Sequence, residues 1–130
     1  MKREIVEVPG ISHVAREWGI PLSHVTRGAG MIFVSGTPPI DVATGELIKG
    51  DIEVQTEAAL QAVRHCLAAA GASFDDVLMV RIYLANVGFY KAVNRVYARH
   101  FPANPPARTV VPVAGWPMEF DLEIEVIAAG

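Results

Sequence analysis

One cysteine in 130 residues, Cys66, leaves no intramolecular disulfide to form, and nothing in the chain calls for an oxidising compartment. Runs of like charge are missing too. The 11 Lys and Arg are scattered among 14 Asp and Glu, for a formal net charge of -3, which gives a poor electrostatic footprint for nucleic acid or an anionic membrane. No window is apolar enough to span a bilayer. The stretch Met1 to Pro9 alternates Ile5, Val6 and Val8 with Glu4 and Glu7, so no secretion signal is visible and a cytoplasmic location is the expectation. The four histidines His13, His24, His65 and His100 lack metal-ligand spacing, so no metal site is expected. What the chain does have is a 52% apolar composition, enough for the core of one domain over residues 1–130 and too little length for two.

Alternation and turn residues predict a first strand over 4–8, ended by Pro9-Gly10, then an irregular piece to Pro21. A hairpin follows, from Ser23–Thr26 through a four-residue link, Arg27-Gly28-Ala29-Gly30, into Met31–Ser35. Asp51 is placed to cap a helix whose inward stripe is Thr56, Ala59, Leu60, Val63, Cys66, Leu67 and Ala70, with Gly71 as its left-handed stop. Val77–Leu84 reads as a central strand. A second helix is predicted from about Gly88 to Phe101, with Tyr90, Val93, Tyr97 and Phe101 on its inner stripe, before Pro102, Pro105 and Pro106 end it. The resulting order, β, β-β, α, β, α, β, β, predicts an α+β domain with two helices on one face of a mixed six-stranded sheet. The other face then needs a cover, and self-association is the simplest one.

Two strands carry an unusual charge pattern. Pro106 to Val113 is a β-branched run with Arg108 at its entrance, and Phe120 to Ala128 alternates Leu122, Ile124, Val126 and Ala128 with Glu123 and Glu125. A guanidinium stays charged and presents a planar fork of donors, so near a core it needs a carboxylate from the protein or from a ligand. Both options are open at this level: a structural ion pair with Glu123 or Glu125 at a subunit interface, or capture of a small carboxylic acid with a glutamate orienting water. Ser35 has no identifiable base, which disfavours a nucleophilic serine. Cys66 falls on the inward stripe, where an inert thiol is expected, and Asn94 suits helix bracing as well as ligand contact.

The ordered set Phe33-Val34-Ser35-Gly36, Thr44-Gly45-Glu46-Leu47, Gly50-Asp51-Ile52, Gln55-Thr56, Ala69 to Ser73, Val93-Asn94, Val96-Tyr97, Pro106-Ala107-Arg108-Thr109 and Glu123-Ile124-Glu125 resembles the Rid (reactive intermediate deaminase, YjgF-like) family from Arg27 to the C-terminus. The resemblance implies a chorismate-mutase-like fold forming a homotrimer with a ligand cleft at each subunit interface. It implies hydrolysis of 2-aminoacrylate-type enamines and imines to 2-oxo acids and ammonia, without metal or other cofactor. Arg108 corresponds to the family's carboxylate anchor, Glu123 to its water-positioning group, and Ser35 and Gly36 to cleft-lining residues. The chain departs from the pattern at Leu22, where many members carry tyrosine, and at Thr37, Phe89 and Val110. It also carries a bulky connection, Gly115 to Phe120, whose Trp116 either walls the cleft or seals the trimer. Alternative functions are a non-catalytic trimer that binds small 2-oxo or carboxylic acids, or a catabolic aminomuconate-type deaminase. A ribonuclease activity is disfavoured by the acidic balance and the lack of a basic aromatic surface.

Overall fold

A computed structural model describes residues 2–130; Met1 lies outside the described residues. The elements are β1 (Glu4–Val6), α1 (Ser12–Glu17), β2 (Val25–Gly28), β3 (Met31–Thr37), α2 (Ile52–Ala69), β4 (Val77–Leu84), α3 (Tyr90–His100), β5 (Ala107–Pro112) and β6 (Leu122–Ala129). Six strands form one sheet in the order β1-β2-β3-β6-β4-β5. Only β4 and β5 are parallel, because α3 carries the chain back between them, and the other neighbours are antiparallel. The α+β architecture is therefore as read from the pattern, with two corrections. The piece before Pro21 holds a short helix, α1, whose single turn and a half is too brief to show a period. The hairpin link is two residues, not four: Arg27 and Gly28 stay paired in β2, and Ala29 and Gly30 turn the chain at φ of 53° and 74°.

α2 starts where Asp51 accepts a hydrogen bond from the Val54 amide at 2.9 Å, and Gly71 closes its C-terminal turn at φ 79°. Its whole predicted inner stripe is buried, and Ala58, Ala59 and Ala62 let it lie close on the sheet. Burial of Leu60, Val63 and Leu67 against β3 and β6 contributes roughly 1.5–3 kcal/mol each. Cys66 is fully buried in that layer, and desolvation pushes its thiol up to about 12. Along β6, Leu122, Ile124, Val126 and Ala128 face the helices, so the period of two sends Glu123, Glu125 and Ile127 to the opposite, open face. Val80, Ile82 and Leu84 of β4 are buried likewise, which leaves Met79, Arg81 and Tyr83 on the open face beside them. An apolar row, Ile5, Thr26, Phe33, Ile127 and Met79, crosses that face, with Ile5 and Phe33 exposed.

Candidate active site

The site grows from a fault in strand pairing. β3 pairs with β6 at Val34↔Val126 and next at Thr37↔Ile124, so Ser35 and Gly36 together oppose Glu125 alone. Such a bulge bends its strand and re-aims side chains. Here it brings the Gly36 backbone against Glu123: a Cβ built on Gly36 would stand 2.5 Å from Glu123 Oε1. Glycine thus makes the niche that holds the carboxyl. Ser35 turns away from it, its hydroxyl donating to the Ser23 carbonyl at 3.1 Å while its amide donates to His24 O at 2.9 Å. Below the bulge, Thr37 is fully buried and donates to Ser35 O at 2.8 Å, which leaves its oxygen to accept from His24 Nε2–H at 2.9 Å. Burial lowers that imidazole to about 4, so it is neutral at physiological pH.

The Glu123 carboxyl is held above the usual range, first by desolvation and then by the neighbouring Glu125 charge, with Trp116 acting in the opposite sense as a hydrogen-bond donor. Trp116 therefore stands beside Glu123, its ring tilted on Phe120 at 4.7 Å between centroids. On its other side it borders a groove of about 480 Å³ lined also by Lys49, Gln55, Met118 and Asp121. Across the strand, Tyr83 is the register partner of Glu123 and Arg81 that of Glu125. The Tyr83 hydroxyl hydrogen-bonds Glu125 Oε1, and Arg81 approaches the same oxygen at 3.8 Å.

Arg108 is not part of that cluster within one protomer. It is the register partner of Val80, on the helix-covered face, at the outer edge of the sheet. Its guanidinium carbon lies 4.8 Å from the Tyr97 ring centroid and 5.8 Å from that of Tyr90, and one nitrogen donates to the Tyr90 hydroxyl at 3.3 Å. Inside the chain Arg108 meets no carboxylate of β6, because β4 intervenes and the glutamates occupy the other face. The cation instead rests on aromatic rings with its donors largely uncommitted. Tyr90, expected on the inner stripe of its helix, is 45% exposed at the start of α3, whereas Val93 and Tyr97 are buried as predicted. Among the described residues, Asn94 Oδ1 and the Tyr97 hydroxyl are buried without a hydrogen-bond partner.

The structure thus unites Glu123, Gly36 and Trp116, keeps Ser35 beside them in the bulge with its hydroxyl turned away, and sets Arg108 apart. Sequence reasoning missed Arg81 and Tyr83, although their parity in β4 opposite the buried Val80 and Ile82 carries the signal. It also took Tyr90 and Tyr97 as core alone, without their stacking on Arg108. Among the described residues no group of three or more His, Cys, Asp or Glu is disposed to hold a metal ion, and no helix is long and apolar enough to cross a membrane.

Comparison with known proteins places the chain in a family. Residues 17–130 match the family model described as Endoribonuclease L-PSP. A RutC family protein of Pyrococcus horikoshii is 40% identical over 108 residues, covering 83% of this chain and 86% of the relative. The chloroplastic Reactive Intermediate Deaminase A of Arabidopsis thaliana is 36% identical over 108 residues, covering 83% of this chain and 58% of that longer protein. Among solved structures, a protein of Thermotoga maritima described as a putative endoribonuclease superposes with a TM-score of 0.86 at 37% identity, covering 100% of this chain and 98% of the other. TdcF of E. coli, solved with bound serine, gives a TM-score of 0.82 at 29% identity over 98% of both chains. The fold and the sequence agree: this chain belongs to the Rid family, the YjgF-like group matched by the Endoribonuclease L-PSP model.

Proposed function

We propose that the protein is a cytoplasmic, cofactor-independent hydrolase of small 2-imino acids and their enamine tautomers, working as a homotrimer of one-domain subunits with its sites between protomers. The observation that carries this reading is the Glu123 carboxyl, half-buried in the Gly36 niche on the open face with its proton affinity raised. Arg108 lies on the other face of the same sheet, so a site using both draws them from two subunits. The open face, with its exposed apolar row, supplies a surface for that assembly.

In the proposed reaction Arg108 grips the substrate carboxylate with two parallel hydrogen bonds and brings the C=N carbon beside Glu123. Glu123 accepts a hydrogen bond from water and takes its proton as the oxygen bonds to that carbon. It passes that proton to nitrogen, then relays the second from the new hydroxyl as the C–N bond breaks, so both protons of water leave in ammonia and its oxygen stays as the 2-oxo group. Gly36 shapes the niche, Ser35 helps hold the bulge that presents it, and Trp116 closes one wall. The name of the Arabidopsis relative supports the chemistry, and the serine held by TdcF supports a pocket for a small amino-acid-like carboxylate. That serine equally suits the second reading, a trimer that binds such acids without turnover.

A coupled assay separates the two. A pyridoxal-phosphate dehydratase generates 2-aminoacrylate from serine, and pyruvate formation is followed with no addition, with this protein and with Arg108→Ala. Acceleration by wild type and a loss of roughly 100-fold in the variant are expected, as for losing charge-assisted hydrogen bonds. Arg108-dependent binding of pyruvate without any acceleration would leave the binding trimer as the better account.

A further inference from the structure

The four polar side chains on the open face are laid out as a ladder: Tyr83 opposite Glu123 and Arg81 opposite Glu125, with the Tyr83 hydroxyl crossing diagonally to Glu125. Diagonal neighbours in an antiparallel pair are within reach of a tyrosine. The two glutamates stand two residues apart on one strand, roughly 7 Å by strand rise. They are treated differently: among the described residues Glu125 receives a phenol and a nearby guanidinium, whereas Glu123 receives neither and sits on the Gly36 backbone beside the Trp116 indole. Facing Glu123 are Glu125 on its own strand, Tyr83 and Arg81 from β4, the Gly36 backbone from β3, Trp116 from the connection before β6 and, in the assembly proposed above, the Arg108 guanidinium of a neighbouring subunit, which Glu125→Gln leaves in place.

We propose that Glu125 is a positioning residue for Glu123: held by Tyr83 and Arg81 two residues along the strand, its carboxylate fixes a negative charge beside the niche and favours Glu123 as the acid that opens the reaction. The inference rests on the imine-hydrolase reading and adds the first proton transfer to it. Glu123 begins as the acid and gives its proton to the imine nitrogen, making the carbon electrophilic. The carboxylate so formed takes a proton from the attacking water and delivers it to nitrogen as the C–N bond breaks. Finally it takes the proton left on the new carbonyl oxygen, which restores the acid and balances one water consumed against one ammonia released. The same contacts raise the Tyr83 phenol, chiefly through its hydrogen bond to Glu125, as a clamp of this kind requires.

The test follows the Glu123 carboxyl directly by NMR in protein labelled with 13C-glutamate, its resonance identified by its absence in Glu123→Gln. In Glu125→Gln the Glu123 titration midpoint is expected to fall by roughly one pH unit, a tenfold loss of proton affinity, as for a unit charge removed ~7 Å away at intermediate dielectric. Glu125→Asp, which keeps the charge, is expected to retain most of the wild-type midpoint. A midpoint unmoved in Glu125→Gln, or Glu125→Asp behaving like Glu125→Gln, overturns the proposal. In the dehydratase assay the alkaline limb of kcat/KM is expected to shift down by the same amount in Glu125→Gln, with KM little changed. A shifted NMR midpoint in a protein whose wild type accelerates nothing refutes the hydrolase reading alone, because the titration is read without turnover.

Discussion

Replacing Gly36 with alanine puts a methyl carbon 2.5 Å from Oε1 of Glu123 and 3.3 Å from its Cδ, while no backbone atom lies among the nearest neighbours. Gly36 does not occupy the left-handed region, so alanine is free to adopt its backbone conformation. The side chain is what must give way: the carboxyl retreats by about 0.9 Å to reach an ordinary 3.4 Å contact. Because the displaced group is the end of a flexible side chain, the fold is expected to lose at most about 1 kcal/mol, a melting shift of a few degrees. Catalysis is less forgiving, since misplacing a reacting group by about 1 Å costs on the order of 100-fold. Gly36→Ala should therefore keep a cooperative melt and a near wild-type KM, because the carboxylate anchor is Arg108, while kcat in the dehydratase-coupled assay falls on the order of 100-fold. Wild-type turnover by Gly36→Ala would refute the niche as the determinant of Glu123 position. A melt lowered by more than about 10 °C would show instead that the glycine serves the fold.

Two pH effects follow from the same face of the molecule. Glu123 binds its proton more tightly folded than unfolded, so its contribution to stability is present at low pH and is lost as pH rises through its raised folded value; Glu123→Gln is expected to melt higher than wild type at pH 8 and equally at pH 4. His24 has the opposite sign: lowered from 6.5 to about 4 by burial, it stays neutral in the fold while the unfolded chain takes up a proton, so stability is lost as pH falls from 6.5 towards 4. That loss is at most about 3 kcal/mol, and melting curves of His24→Gln, which cannot charge, should be flatter over this interval.

Much of the architecture is legible in the sequence because hydrophobic periodicity reports which face of an element meets the core. The Asp51 cap, the stripe from Thr56 to Ala70 and the alternation of β6 are local signals, and each fell where its spacing placed it. α1 was not legible because six residues contain less than two turns of pattern. The bulge at Ser35-Gly36 is set by pairing with β6, some 90 residues away, and no feature of β3 alone announces it. The same holds for the charges. Arg108 and the two glutamates are conspicuous in sequence, yet their faces depend on the order of strands in the sheet. With β4 between β5 and β6, in-register pairing puts Arg108 with Val80 under the helices and Glu123 with Tyr83 on the open side. Resemblance to a family supplied the two residues, and only the sheet shows that one protomer does not bring them together.

That separation makes the central claim testable by mixing two inactive proteins. Arg108→Ala and Glu123→Gln are purified, combined in equal amounts, unfolded and refolded together, and assayed for release of pyruvate from 2-aminoacrylate. If each site takes Arg108 from one protomer and Glu123 from its neighbour, random assembly gives roughly one site in four with both native side chains, and about a quarter of wild-type activity returns. No recovery in mixed oligomers, with the wild type refolding to full activity under the same conditions, would contradict a site shared between subunits.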